Sequence, residues 1–161
     1  MISFENEIYQ RYFIIAFSPE ECTIKSLTKH CKEWYKTEKD AHKKAVNAAK
    51  YLYEGVQKHI VNGNAGGLFD NYNRIDFICL QEFNLKDSWC HSILAHEVLH
   101  ATFRIIRQTG AQLSSKSEET YCYLHQWIIR KIYRHLLHGQ DNDSKDKSLA
   151  PKDTAGSIED I

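Results

Sequence analysis

The sequence predicts a mostly helical α+β domain with a small β-sheet of two to three strands. Three observations predict it. Two short segments are rich in β-branched and aromatic residues, four stretches carry apolar residues at helical spacing, and the overall composition is that of a packed chain. The 161 residues are 42% hydrophobic and 26% charged with only two prolines, enough for one core and too ordered in character for a disordered chain.

Residues 8–17 read as the first strand, and Ser18-Pro19-Glu20-Glu21 then supplies a cap, a proline at the first helical position and two acids. The helix that follows is marked by Ile24, Leu27, Cys31, Trp34 and Tyr35. After a charged link over 36–44, Ala41, Ala45, Ala48, Ala49, Leu52 and Val56 mark a second helix. Residues 62–67, Asn-Gly-Asn-Ala-Gly-Gly, read as a loop. They lack the Gly-Lys-Ser/Thr ending of a phosphate-binding loop.

Residues 74–80 form the next expected strand, with Ile75, Phe77 and Cys79 alternating against Asp76, Ile78 and Leu80, paired with the first strand. Asp76 is expected to face solvent or a cleft at the sheet edge. Asp87 is placed to cap a helix from Ser88 to about Gln108, which Gly110 stops. A last helix opens at Ser117, with its apolar stripe through Tyr121, Cys122, Ile128, Ile129, Ile132 and Leu136, and Gly139 ends it. One domain is therefore expected over 1–138. The remaining 139–161 hold six acids against three lysines and read as a mobile acidic tail.

Composition narrows the function classes. A formal net charge of +0 leaves no whole-chain field to recruit nucleic acid or anionic lipid, so neither is expected as a partner. Apolar runs such as 12–17 fall short of the roughly 18–20 residues of a membrane helix, and Glu5 and Glu7 break any signal-peptide start. A cytoplasmic location is the expectation. Five cysteines without a Cys-x-x-Cys pair argue for reduced, mostly buried thiols rather than a disulfide framework or thiolate zinc site.

The expected helix 88–108 contains His96-Glu97-Val98-Leu99-His100. Histidines four apart lie one turn above each other on one face, where two imidazoles can grip one ion. With nine His and twelve Glu in the chain, a shuffled sequence would contain about 0.04 such motifs. Zinc suits imidazole and carboxylate donors, and Glu97 stands where a general base acts on metal-bound water. The next helix starts with Glu118 and Glu119, close enough in sequence to bring a carboxylate back alongside.

In these residues the chain resembles the gluzincin metallopeptidases, in which His-Glu-x-x-His is followed by a glutamate ligand on a second helix. The layout also resembles small metallopeptidase-like proteins encoded in phage and prophage genomes. There the terminal helix reads Glu-x-x-Ala-Tyr, where this chain has Cys122 in place of alanine before Tyr123. The resemblance implies a minimal zincin-like domain with two active-site helices, a Zn2+ cofactor, and hydrolysis of a peptide or protein amide bond. It implies His96, His100 and Glu119 as ligands and Glu97 as base. Glu118 stays open as the alternative third ligand, because it lies more nearly in line with the apolar stripe.

The resemblance also implies an oxyanion donor, for which Tyr121, Tyr123, His91 and His125 are candidates. It raises 74–80 as a strand edge able to hold an extended peptide, against its reading as an ordinary core strand. A phage origin would put the protein in the host cytoplasm. Two other classes stand beside the hydrolase: a non-catalytic zinc-stabilised interaction module, and a metal-free helical adaptor.

Overall fold

Two strands buried along their whole length decide the architecture. β2 (Arg11–Ala16) and β4 (Ile75–Leu80) expose no residue to solvent, so each needs cover on both faces. They run parallel, with Ile14 opposite Phe77, at the centre of a four-stranded mixed sheet of order β1-β2-β4-β3. β1 (Ile2–Asn6) and β3 (Gly67–Tyr72) flank them as antiparallel edges. The structure, a computed structural model, describes residues 1–115 and 117–138.

Alternation along the central strands sorts their side chains into two cores. Tyr12, Ile14, Ala16, Ile75, Phe77 and Cys79 pack with α1 (Ile24–Tyr35) and α2 (Ala41–Val56). Phe13, Ile15, Ile78 and Leu80 pack on the other face with α3 (Ser88–Gln108) and α4 (Glu118–His138). A parallel pair needs a long crossover, and α1 and α2 lie within it. The α+β class is as expected, and the sheet has four strands rather than two to three.

Both additional strands were hidden by their polar residues. β1 carries Ser3, Glu5 and Asn6, and β3 carries Gly67, Asp70 and Asn71, types depleted in strands. What holds β3 is its hairpin with β4. Asn73 and Arg74, at φ 45° and 67°, make the two-residue left-handed turn that matches strand twist. The first strand begins at Arg11 rather than Ile8, because residues 7–10 form the β1–β2 turn and leave Ile8 exposed.

The predicted helix start at Ser18-Pro19 also needs correction. Pro19–Glu21 is a 3-10 turn, and α1 begins after Thr23, whose Oγ1 accepts from Ser26 N at 3.1 Å. Ser26 Oγ in turn accepts from Thr23 N at 3.1 Å, a reciprocal cap that Ser18 does not make, Glu21 accepting from Phe17 N instead. The break turns Cys22 inward, where its sulfur lies 3.6 Å from that of Cys79. Cys31 and Cys90 are buried too, whereas Cys122 is exposed. The buried stripe of α4 runs through Tyr121, Leu124, Ile128 and Ile132, so it is rotated from the expected one.

α3 has the expected bounds, and α2 begins at Ala41, inside the stretch 36–44 expected as a link. α2 continues into a π-helical turn, Gln57–Val61. Asp87 caps α3 by accepting from Trp89 N at 2.9 Å, and Gly110, at φ 83°, lies just past its end. Gly139 and the expected tail 139–161 lie outside the described residues. Among the described residues, no helix is long and apolar enough to cross a membrane.

One ion pair ties three elements together inside the protein. Arg11 on β2 donates from Nε to Asp76 Oδ2 at 2.7 Å and from Nη2 to Oδ1 at 2.5 Å. Its Nη1 donates to Gln108 Oε1 on α3 at 2.6 Å. Asp76 is therefore buried and paired, neither at solvent nor in a cleft. Burial pushes its carboxyl above the usual carboxylate value, and the bonds from Arg11 and Asn71 offset part of that.

Arg11→Met should strand the Asp76 charge and destabilise the fold by about 3–5 kcal/mol, measured by urea denaturation. The double variant Arg11→Met/Asp76→Leu should recover most of that loss. A single variant as stable as the wild type would show that the pair does not tie the sheet to α3.

Candidate functional site

Position in the helix brings the two histidines together. His96 and His100 lie one turn apart on α3, with Nε2 atoms 3.0 Å apart and rings nearly perpendicular at 86°. Both side chains are exposed. Two nitrogens bound tetrahedrally at about 2.1 Å from one zinc ion would stand about 3.4 Å apart. The observed pair needs only a small opening to fit such an ion.

Glu97 follows His96 by one residue, so it projects about 100° further round the helix, toward the sheet. It is only 7% exposed. Burial raises its carboxyl above the ordinary value; His100, His96 and the backbone N–H of Phe69 on β3 draw it part of the way back. Gly67 makes this approach of β3 to α3 feasible. A Cβ there would lie 2.9 Å from both Cγ and Oε1 of Glu97 and 2.8 Å from Cγ2 of Ile93. His96 and Glu97 thus line one cleft of about 540 Å³, with Gly66, Gly67, Ile93 and Trp89 forming much of its wall.

The two α4 carboxylates stand differently. Glu118 and Glu119 are both exposed on the first turn. Glu118 lines a second cavity, about 490 Å³, together with Leu99, Phe103, Tyr121, Cys122 and His125; Glu119 is not part of that wall. Among the described residues, no three His, Cys, Asp or Glu side chains converge as a ligand set. The histidines are brought together without a third donor.

The four oxyanion candidates are scattered. Tyr121 is buried, with its hydroxyl 3.5 Å from the Ala111 carbonyl and its ring against Phe103. Tyr123 is largely exposed. His125 lines the second cavity with a buried Nδ1 that has no hydrogen-bond partner, and burial lowers its pKa. His91 donates from Nε2 to the Leu85 carbonyl at 2.8 Å, leaving Nδ1 to accept from the Tyr133 hydroxyl. None of the four is hydrogen-bonded to the His96–His100 pair.

The strand edge beside the motif is not 74–80. β4 is paired on both sides, so residues 75–80 are core strand, and β3 is the edge strand lying against α3. Sequence reasoning missed β3 as a strand, and with it Gly67 and the Phe69 amide. The Gly66-Gly67 pair was a visible signal, since glycine within a strand marks close backbone approach. Arg104 was also missed as a site residue. It lies four residues after His100, and its Nη2 donates to Asn71 Oδ1 on β3 at 2.6 Å.

Compared with known proteins, the chain matches no family model, no curated protein and no solved structure.

Gly67→Ala should push β3 away from Glu97 and Ile93, because two of the three close atoms belong to packed side-chain stems. A loss of about 1–3 kcal/mol in chemical denaturation is expected. An unchanged midpoint would show that the strand does not need this close approach.

Proposed function

We propose that the chain is a zinc-dependent peptidase of gluzincin type, a minimal zincin-like domain whose active-site helices are α3 and α4. The observation that carries the reading is the His96–His100 pair, with nitrogens 3.0 Å apart beside the buried carboxyl of Glu97. Two imidazoles one turn apart suit zinc, and the third donor would have to be drawn toward them from α4. His96 and His100 would hold the ion, with Glu119, or Glu118 in its place, as the donor from α4. When bound, zinc supplies a water acidic enough to ionise near neutral pH and a Lewis acid for a carbonyl oxygen.

The chain's own part is proton management. Glu97 is the general base, and burial makes its carboxylate more basic than an exposed one. The close approach of Gly67 packs β3 against this carboxyl, so strand and helix together hold the base. After taking the proton from water, the same carboxyl is positioned to return it to the leaving amine, so that water is added across the C–N bond of a peptide or protein amide. The cleft lies between α3 and the edge strand β3, which favours an extended segment of substrate.

Untagged protein should contain about one zinc per chain by elemental mass spectrometry. His100→Ala should lose the metal. Glu97→Gln should keep it and lose hydrolysis by at least a hundredfold, as expected for removal of a general base. Comparing Glu119→Ala with Glu118→Ala identifies the third ligand as the variant that loses zinc. Protein that takes up no zinc at neutral pH sinks the peptidase reading and leaves a metal-free adaptor; zinc retained with no Glu97-dependent turnover leaves a structural metal module.

A further inference from the structure

We propose that Arg104 is a substrate-binding residue that makes the site prefer amides bearing a carboxylate about two residues from the scissile bond, an inference that rests on the peptidase reading above. His96, His100 and Arg104 recur every fourth residue of α3, so the three side chains rise along one face. Four helical residues rise about 6 Å, roughly the span of two residues of extended chain.

Arg104 is aimed rather than neutralised. Its Nη2 donates to Asn71 Oδ1, and Asn71 is itself anchored by donating from Nδ2 to Ile75 O at 3.0 Å and Asp76 Oδ1 at 3.1 Å. A neutral amide thus clips the guanidinium to the edge strand and leaves its charge intact. Glu97, two turns back on the same helix, is buried against β3, and the acids of the neighbouring strands are committed elsewhere. Asp76 is paired with Arg11, and Asp70 accepts from the Tyr51 hydroxyl at 3.2 Å, near Gly55 on the opposite face of the sheet. Among the described residues, no carboxylate comes within ion-pair distance of Arg104.

A guanidinium offers five N–H donors in a planar fork that matches a carboxylate, and the bond to Asn71 uses only part of that fork. The cleft that His96 and Glu97 line is bordered toward the start of α3 by Trp89 and Ile93, and Arg104 stands outside its wall, two turns beyond His96 on the same helix. The face of α3 beside β3 is therefore apolar at one end and cationic at the other, with the histidines between. An aspartate or glutamate side chain and a C-terminal α-carboxylate offer Arg104 the same planar anion, and a two-residue span reaches either.

The test uses the zinc-loaded full chain and a random decapeptide library made with free and with amidated C-termini, its cleavage sites mapped by mass spectrometry. Wild type should cut sites flanked by an acid, or by the free terminus, about ten- to a hundredfold faster than the isosteric amides. Loss of preference on amidation of the terminus identifies the α-carboxylate; loss on Asp→Asn and Glu→Gln replacement in the peptide identifies the side chain. Arg104→Ala should abolish the preference through KM with kcat little changed, Arg104→Lys should restore part of it, and Arg104→Glu should turn it toward basic residues.

A readout free of turnover runs alongside. The Arg104 Nε–H nuclear magnetic resonance signal should shift on titration with N-acetylglutamate and not with N-acetylglutaminamide, which carries no carboxylate, while that of Arg107 on the same helix stays put. Glu97-dependent cleavage with no acid preference, or with one that Arg104→Ala leaves intact, overturns this inference and spares the peptidase reading. No Glu97-dependent cleavage of any peptide overturns both.

Discussion

The parallel pairing of β2 with β4 is the constraint on which the remaining structure depends. Both strands are buried on both faces, so neither a single helical layer nor a simple hairpin would cover them. Alternating side chains send Ile14 and Phe77 to one core and Phe13 and Ile78 to the other. Each core then recruits its own helix pair. The crossover needed to bring a parallel partner beside β2 spans α1, α2 and β3, which leaves α3 and α4 to close the opposite face.

The candidate site is a by-product of how β3 meets α3 on that second face. β3 is the sheet edge, paired only with β4, and Gly67 lets its backbone come close enough to touch Glu97 and Ile93. That contact buries Glu97 while His96 and His100, further round the same helix, stay open to solvent. One helix therefore supplies two environments within five residues. A basic carboxyl lies against the strand, and two imidazoles lie at the surface, an arrangement that suits ligands on one side and a proton acceptor on the other.

The buried Arg11–Asp76 pair extends the same organisation. Through Gln108 it reaches the end of α3, and through Asn71 it reaches the edge strand and Arg104. Charges inside the protein are costly unless bonded on all sides, and these bonds run between the elements that frame the cleft. The groove is thus held at its far end by polar contacts and at its near end by the close packing of Gly67 against Ile93.

The helices and the motif were determined by local sequence. Asp87 and Gly110 bracket α3, the alanine periodicity outlines α2, and His-Glu-x-x-His needs only helical geometry to bring two imidazoles together. Helix periodicity and capping act over a few residues, so they can be read without knowing the fold. Only tertiary structure decided that Asp76 is paired rather than exposed, that β3 exists despite its Gly, Asp and Asn, and that Cys122 lies outside the buried stripe of α4. Each depends on a partner outside its own segment: Arg11 for Asp76, the ladder with the adjoining β4 for β3, and the packing of α3 for the rotation of α4. The burial that sets Glu97 apart from the histidines beside it is of the same kind, because it is made by a strand some thirty residues earlier in the chain.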